Sequence, residues 1–194
     1  MDHLELFTDG GAIKIDNKFY GSSAYVIRFK NRYFISGEPV TEGNAERFEL
    51  KAIRDGLKAV LSGWLCDDNI EVWIVSDCKM AILSITELFN DYTKKNGTYY
   101  NKNKKEVLNI DLILEIRELL KHIKRYKFVK IKSHIDTTVI EDTYEEFKSI
   151  NKIDLSFTRY LMMARFNEMC DIRITREINF KKRKIADSRG VQYV

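Results

Sequence analysis

The 194-residue chain contains a single proline, Pro39, and nine glycines that nowhere gather into a run. Without a stretch rich in Pro, Gly or Ser there is no candidate for a flexible interdomain linker, so one domain is expected over residues 1–180, followed by a basic tail at 181–194. Cysteine is almost as scarce. Cys66, Cys78 and Cys170 are odd in number and fit no zinc-like spacing, which argues against a disulfide framework and for reduced thiols in a cytoplasmic setting. No apolar run is long enough to cross a bilayer. The opening residues Met1-Asp2-His3-Leu4-Glu5 place acids where a secretory signal needs basic and then continuous apolar side chains, so no membrane partner is expected. A strong excess of one charge is also missing. The 33 lysines and arginines against 29 acids leave a formal charge of +4, which by itself does not announce a nucleic-acid binder.

What is present is a chain 44% apolar, near the size at which one hydrophobic core fills efficiently. Residues 4–8, 21–29 and 32–37 read as strands rich in Tyr, Phe, Val and Ile, joined as an antiparallel meander. From Ala45 the period changes: Phe48, Ala52, Ile53, Leu57, Val60 and Leu61 recur at helical spacing, with Gly63 placed to end the helix. Residues 70–76 (I-E-V-W-I-V-S) read as a strand buried on both faces, 80–89 as a helix, and 92–106 as a polar, basic loop broken by Asn96-Gly97. An amphipathic helix over 110–123 and a strand over 128–135 follow. Residues 136–157 are acidic and weakly periodic, and 158–178 read as a long helix. The β-β-β-α-β-α-α-β order predicts an α/β fold: a five-stranded mixed sheet, three antiparallel strands then two parallel, flanked by helices.

Four acids stand out by position, although each has an ordinary explanation. Asp9 precedes Gly10 and Gly11, and Asp-Gly is a favoured hairpin turn. Glu49 sits on the first helix beside its packing face, where a solvated glutamate is also common. Asp77 ends a buried strand just where a helix begins, as an N-cap would. Asp171 lies on the last helix, where a surface acid is the usual case. Taken together, acids at the ends of two strands and on two helices can converge on one sheet edge. Converging carboxylates repel, so such a cluster needs protons or cations, and oxygen ligands suit Mg²⁺ or Mn²⁺.

The segments T-D-G-G, R-F-E-L-K-A, V-S-D-C, K-S-H-I and N-E-M-C-D, in order from residue 8 to residue 171, resemble the motifs of type 1 ribonuclease H. The stretch from Asp91 to Tyr100, with Asn109-Ile110-Asp111-Leu112 after it, is similar to the basic protrusion of bacterial members and the helix that follows it. The resemblance implies the ribonuclease H-like fold. It also implies cleavage of the RNA strand of an RNA·DNA hybrid by two Mg²⁺ ions about 4 Å apart, with Mn²⁺ as a substitute. Asp9 would bridge both ions, Asp171 would serve the ion that activates water, and Glu49 and Asp77 the ion at the leaving oxygen. His134 would correspond to the histidine that assists water positioning or product release.

Implied substrate contacts are Gly10 and Gly11 at the 2′-hydroxyl, and Lys94, Lys95, Tyr99, Lys102, Lys104 and Lys105 at phosphates. Where members often carry Asn or Gln around the helix glutamate and after the third acid, this chain has Ala45, Glu46 and Lys79. Asn44 is the nearest amide to the helix, and Asn44 and Lys79 are the candidates for those contacts. The stretch between His134 and Asp171 is longer than usual, which places an insertion at about 137–157. No hybrid-binding domain is expected before Asp9, and a monomer is expected. Lys181, Lys182, Arg183 and Lys184 read as a solvated helix end in preference to a nuclear signal or a nucleic-acid patch. Cys78, beside an acid, is not expected to act as a nucleophile. The alternatives are a nuclease of the same fold acting on branched or single-stranded nucleic acid, and a noncatalytic binding module.

Overall fold

The computed structural model describes residues 3–64, 69–133 and 140–188. Along the chain, β1 (His3–Ile15), β2 (Lys18–Phe29), β3 (Arg32–Gly37) and the two-residue β4 (Thr41–Glu42) precede α1 (Ala45–Ala59), which closes in a π-type turn over Val60–Trp64. Next come β5 (Glu71–Ser76), α2 (Lys79–Ile85), and a small hairpin of β6 (Thr93–Lys95) and β7 (Thr98–Tyr100). The remainder is α3 (Ile110–Leu120), β8 (Tyr126–Lys130), α4 (Ile140–Asn151) and α5 (Phe157–Ser188). The main sheet has the order β3-β2-β1-β5-β8, with β4 attached to β2. β1, β2 and β3 pair antiparallel, while β1, β5 and β8 run parallel, the mixed sheet that the element order predicted.

Neighbouring residues on each central strand face opposite sides of the sheet, as a period of two requires. Leu6, Ile27 and Ile74 belong to one core with α1 and α3, whereas Phe7, Val26 and Val75 belong to a second core with α4 and α5. The sheet is therefore sandwiched, and its middle strands can be apolar on both faces.

Several elements differ from the sequence expectation. The Asp9-Gly10 pair is not a turn: β1 runs straight through it, with Asp9 opposite Ala24 and Gly10 opposite Ser23. The chain reverses at Asp16 and Asn17, whose φ angles of 49° and 64° suit the two-residue hairpin loop joining Ile15 to its partner Lys18. The expected helix over 80–89 stops at Ile85, where the Thr86 backbone leaves the helical region (φ −99°, ψ −87°) while its hydroxyl donates to the Ile82 carbonyl at 2.8 Å, and a 3-10 turn over Leu88–Asp91 follows. The expected loop at 92–106 contains β6 and β7, closed by Asn96 and Gly97 at φ 49° and 85°.

The weakly periodic acidic stretch holds α4, whose Phe147 packs on Tyr160 of α5 with ring centroids 5.1 Å apart. Asn151, at its end, accepts from the Lys130 N–H at 2.7 Å and donates to the Lys130 carbonyl at 2.8 Å. One side chain thus occupies the hydrogen-bonding groups of an edge strand. The expected break between domain and basic tail at 180 falls inside a helix. α5 continues to Ser188, with no Gly or Pro to interrupt it and with Ile174 and Ile178 buried beneath it.

The start of α5 is held to the sheet by a buried ion cluster. Glu5, 1% exposed, accepts from Arg28 of β2 at 2.7 Å and from Arg159 of α5 at 2.6 Å, with the His3 ring at 3.3 Å. Burial pushes the Glu5 carboxyl up, but His3, Arg28 and Arg159 together hold it below its ordinary range. Removing this charge leaves two half-buried guanidiniums facing each other. Glu5→Gln is expected to lower unfolding stability by about 3 kcal/mol in urea titrations. Because the folded pKa is depressed, the native contribution is present above the ordinary carboxyl range and is lost as pH falls through the lowered value. The parent and Glu5→Gln stability curves should therefore converge in acid.

Candidate active site

Parallel register places the first two acids. Thr8 pairs with Ser76 on the last rung between β1 and β5, and the next residue on each strand is an acid, Asp9 and Asp77. β5 stops there while β1 continues, so a notch opens beside β1 with one carboxylate on each wall.

Glu49 reaches the same point from α1. That helix lies so close to β1 at Gly10 that a Cβ on residue 10 would overlap the Phe48 and Glu49 backbone, and only glycine fits. One oxygen each of Asp9, Glu49 and Asp77 lies within 4.8 Å of the other two. The Gly10 N–H donates to Asp9 Oδ1 at 2.7 Å and fixes that carboxylate. Asp77 is not a helix cap, since Cys78 occupies the N-cap position of α2.

The electrostatics of this cluster are adverse. Burial, and then the charges of Asp9 and Asp77, push the Glu49 carboxyl well above its ordinary range, while the Gly10 N–H and the Lys130 ammonium offset only part of the rise. Glu49 Oε2 is buried without a hydrogen-bond partner. A buried oxygen left unpaired between two other carboxylates calls for a proton or a cation, and an all-oxygen donor set fits a hard divalent ion. The nearby thiols are inert. Cys78 is pushed up to about 11 by burial and by Glu49, and Cys170 is raised by complete burial and then by Asp9. Cys170 donates instead to the Phe7 carbonyl at 3.7 Å, which ties α5 to β1 next to the acids.

The notch widens into an open cavity of about 800 Å³, lined in part by Asp9, Gly10, Gly11, Asp77 and Asp171. Asp171 thus shares the cavity from α5 without belonging to the close triad. Beside it, Asn167 is 4% exposed with Oδ1 unpartnered, and Arg165 and Glu168 also reach the cavity. His134 lies outside the described residues. Ser133, just before it, lines the cavity.

The other expected contacts are spread around the site. Asn44 caps α1, its Oδ1 accepting from the Arg47 N–H at 2.8 Å, so its side chain already has a structural partner. Lys79 opens α2 beside Asp77 and shares a second recess with Lys130 and Lys132. Lys94, Lys95 and Tyr99 lie on the β6–β7 hairpin, with Lys102, Lys104 and Lys105 just after it. Tyr99 is half-buried against the first core and lies under the Lys94 ammonium, 5.3 Å from ring centre, so it anchors the hairpin rather than standing free. Sequence reasoning passed over Lys130, Lys132, Arg165 and Glu168. Glu168 was findable, being three residues before Asp171 on the same helix. Lys130 and Lys132 carry no signal beyond closeness to the end of β8.

Linkage between protons and cations follows from Glu49. Its raised pKa means that its native-state contribution is complete below the ordinary carboxyl range and is lost as pH rises through the raised value. A divalent cation should replace the missing proton. Thermal unfolding with chelator is expected to shift to lower temperature as pH rises from acid to mildly alkaline, and excess Mg²⁺ or Mn²⁺ should restore about 2–4 °C for each kcal/mol of cation binding. Glu49→Gln should remove the divergence; parent curves that coincide with and without cation at every pH would contradict it.

The family model described as RNase H matches residues 1–146, from β1 into α4, which takes in Asp9, Glu49 and Asp77 and stops short of Asp171. Ribonuclease H of Campylobacter jejuni is 32% identical over 136 residues, covering 69% of this chain and 81% of its own. Ribonuclease H of Caldicellulosiruptor saccharolyticus is 31% identical over 141 residues, covering 72% of this chain and 89% of its own. In three dimensions the chain is similar to the PFV RNase H domain, with a TM-score of 0.53 and 18% identity over 78% of this chain and 93% of that one. It is also similar to LC11-RNase H1, solved in complex with RNA/DNA hybrid, with a TM-score of 0.50 and 17% identity over 76% of this chain and 98% of that one. At such identities the structural likeness speaks for the fold. The match of the family model over most of the chain, and of relatives at 31–32% identity over more than two thirds of it, establishes that this protein belongs to the ribonuclease H family and is a ribonuclease H enzyme.

Proposed function

We propose that the protein hydrolyses the RNA strand of RNA·DNA hybrids by two-metal catalysis, with Asp9, Glu49, Asp77 and Asp171 as the ligand set. The observation that carries this reading is the meeting of three carboxylates within 4.8 Å, with Glu49 Oε2 buried and unpartnered, beside a cavity lined by Asp9, Asp77 and Asp171. When bound there, Mg²⁺ or Mn²⁺ supplies a water of lowered pKa and positive charge opposite the phosphoryl oxygens. The chain's own residues do the rest. Asp9 would be the ligand shared by both ions, Asp171 would serve the ion that activates water, and Glu49 and Asp77 the ion that stabilises the leaving oxygen. Gly10 and Gly11 line the cavity, and backbone groups there are the readers of the RNA 2′-hydroxyl.

Lys94, Lys95, Lys102, Lys104 and Lys105 hold phosphates without reading sequence, and Lys79 does so beside Asp77. His134, in the segment after Ser133, moves a proton or helps release product. The relative solved on an RNA/DNA hybrid supports the choice of substrate class.

A strand-labelled hybrid tests the reading. With Mg²⁺ the protein should cut the RNA strand and leave the DNA strand whole, and chelator should abolish cleavage. Asp77→Asn should lose at least ~100-fold in rate, since even outer partners of metal ligands are worth 10–100-fold, while hybrid binding in chelator is kept. Undiminished cleavage by Asp77→Asn would overturn the ligand assignment. Preference for branched or single-stranded nucleic acid in the same assay would overturn the substrate.

A further inference from the structure

The last turns of α5 lie outside the stretch matched by the family model, and the carboxylate chemistry makes no use of them. Past Asp171 the helix runs along the β1–β2 hairpin. A Cβ on Gly11 would stand 3.1 Å from Ile174 and 3.9 Å from Ile178, and the Lys181 ammonium sits 5.4 Å from the centre of the Tyr20 ring. The helix is thus seated on the strand segment that follows Asp9 and Gly10, and its direction is fixed by packing.

Cations crowd this segment. Arg176, Lys181, Lys182, Arg183 and Lys184 fall within nine residues that hold one acid, Glu177, with Asp187 three residues further on. Glu177 is already engaged by Arg173 at 3.0 Å. Among the described residues, Arg176 and the four cations at 181–184 form no ion pair, whereas Lys18, Lys51, Lys58, Lys121 and Lys148 elsewhere each hold a carboxylate. Helical geometry puts Lys182 eleven residues after Asp171, about three turns and ~16 Å along the axis, with nearly the same azimuth. A duplex advances about 3.4 Å per nucleotide of one strand, so that distance is close to five nucleotide steps from the acids.

We propose that the last turns of α5, through Lys182 with Arg183 beside it, form a second phosphate-contacting surface for the nucleic-acid duplex that occupies the carboxylate site; Lys184, turned by about 220° from Asp171 and lying 4.5 Å from the centre of the Phe180 ring, faces the other flank of the helix. It rests on the reading that the substrate is an RNA·DNA hybrid. The β6–β7 hairpin lies on the α1 and α2 side of the sheet and α5 on the other, so the two basic elements flank the acids and each holds the duplex on its own side of the scissile bond. Contact is to phosphates, so it is independent of sequence and common to hybrid and DNA duplex. This replaces the reading of residues 181–184 as a merely solvated helix end.

The test uses the full chain carrying Asp77→Asn, in chelator, so that binding is measured without cleavage. Dissociation constants for a 20-base-pair hybrid and the matching DNA duplex are followed against salt. Lys182→Gln/Arg183→Gln should reduce the slope of log K against log salt by about one to two, at ~0.9 per lost phosphate contact, and weaken both duplexes at least ~10-fold near physiological salt. Lysine or arginine at both positions should retain the parent slope. A control with equal charge change, Lys121→Gln/Lys124→Gln, lies before β8 at the opposite end of the parallel strands and should leave the slope unaltered. Equal melting temperatures confirm folding. An unchanged slope in the α5 variant, or an equal drop in the control, overturns the proposed surface. If the slope falls as expected but the protein lacking Asp77→Asn does not cut the hybrid with Mg²⁺, the surface stands and the proposed function falls. Failure of the Asp77→Asn chain to bind either duplex overturns both.

Discussion

Three carboxylates within 4.8 Å of one another repel, and a folded chain holds them there only if the surrounding structure fixes each from its own direction. Asp9 and Asp77 are fixed by the parallel register of β1 and β5, which ends one residue before both. Glu49 is fixed by the close seating of α1, for which Gly10 leaves room beneath the Phe48 and Glu49 backbone and Gly56 beside Leu6. The backing on the other face comes from α5, tied to β1 by Cys170 at Phe7 and tied to β1 and β2 at its start by the Arg159–Glu5–Arg28 cluster. Without those ties the helix could slide, and Asp171 would lose its place at the cavity. The adverse energy of the cluster is concentrated on Glu49, the most buried of the three, and this is where a divalent cation gains most.

The two cores on either face of the sheet divide the remaining tasks. One carries α1, α2 and α3 and supports the lysine hairpin, whose Tyr99 is sunk against it. The other carries α4 and α5. α4 covers the edge strand β8 through Asn151, and its first residue, Ile140, borders the cavity. An exposed edge beside the carboxylate notch would invite strand pairing with other chains, and a side-chain amide bonded to Lys130 on both its N–H and its carbonyl blocks that position.

Much of this was legible in advance, because the relevant signals were local. Short runs rich in β-branched and aromatic residues marked the central strands, and the shift to helical spacing at Ala45 marked the start of α1. The failures have a common cause in competing local and tertiary preferences. Asp9-Gly10 is a strong turn pair in isolation, but pairing with Ala24 and Ser23 of β2 keeps it extended, and the reversal moves to Asp16-Asn17. The acidic stretch that became α4 has only a weak apolar face, since Phe147 and Thr143 are its buried residues and the helix is stabilised by docking on Tyr160 and β8. The basic end of α5 resembled a tail because polar residues dominate it, yet Ile174 and Ile178 carry the apolar stripe past Asp171.

By itself the sequence determined the order of the long strands and helices of the main sheet and the two-sided core, and singled out the acids as candidates, because periodicity and residue chemistry are properties of short segments. Which acids share one point in space, and that Asp171 faces the same cavity without joining the closest three, was decided by the tertiary structure. So was the course of the last basic turns along the β1–β2 hairpin. The physical reason is that strand register, the approach of α1 over Gly10 and the docking of α5 are set by contacts between residues far apart in the chain, and no local pattern encodes a distance of that kind.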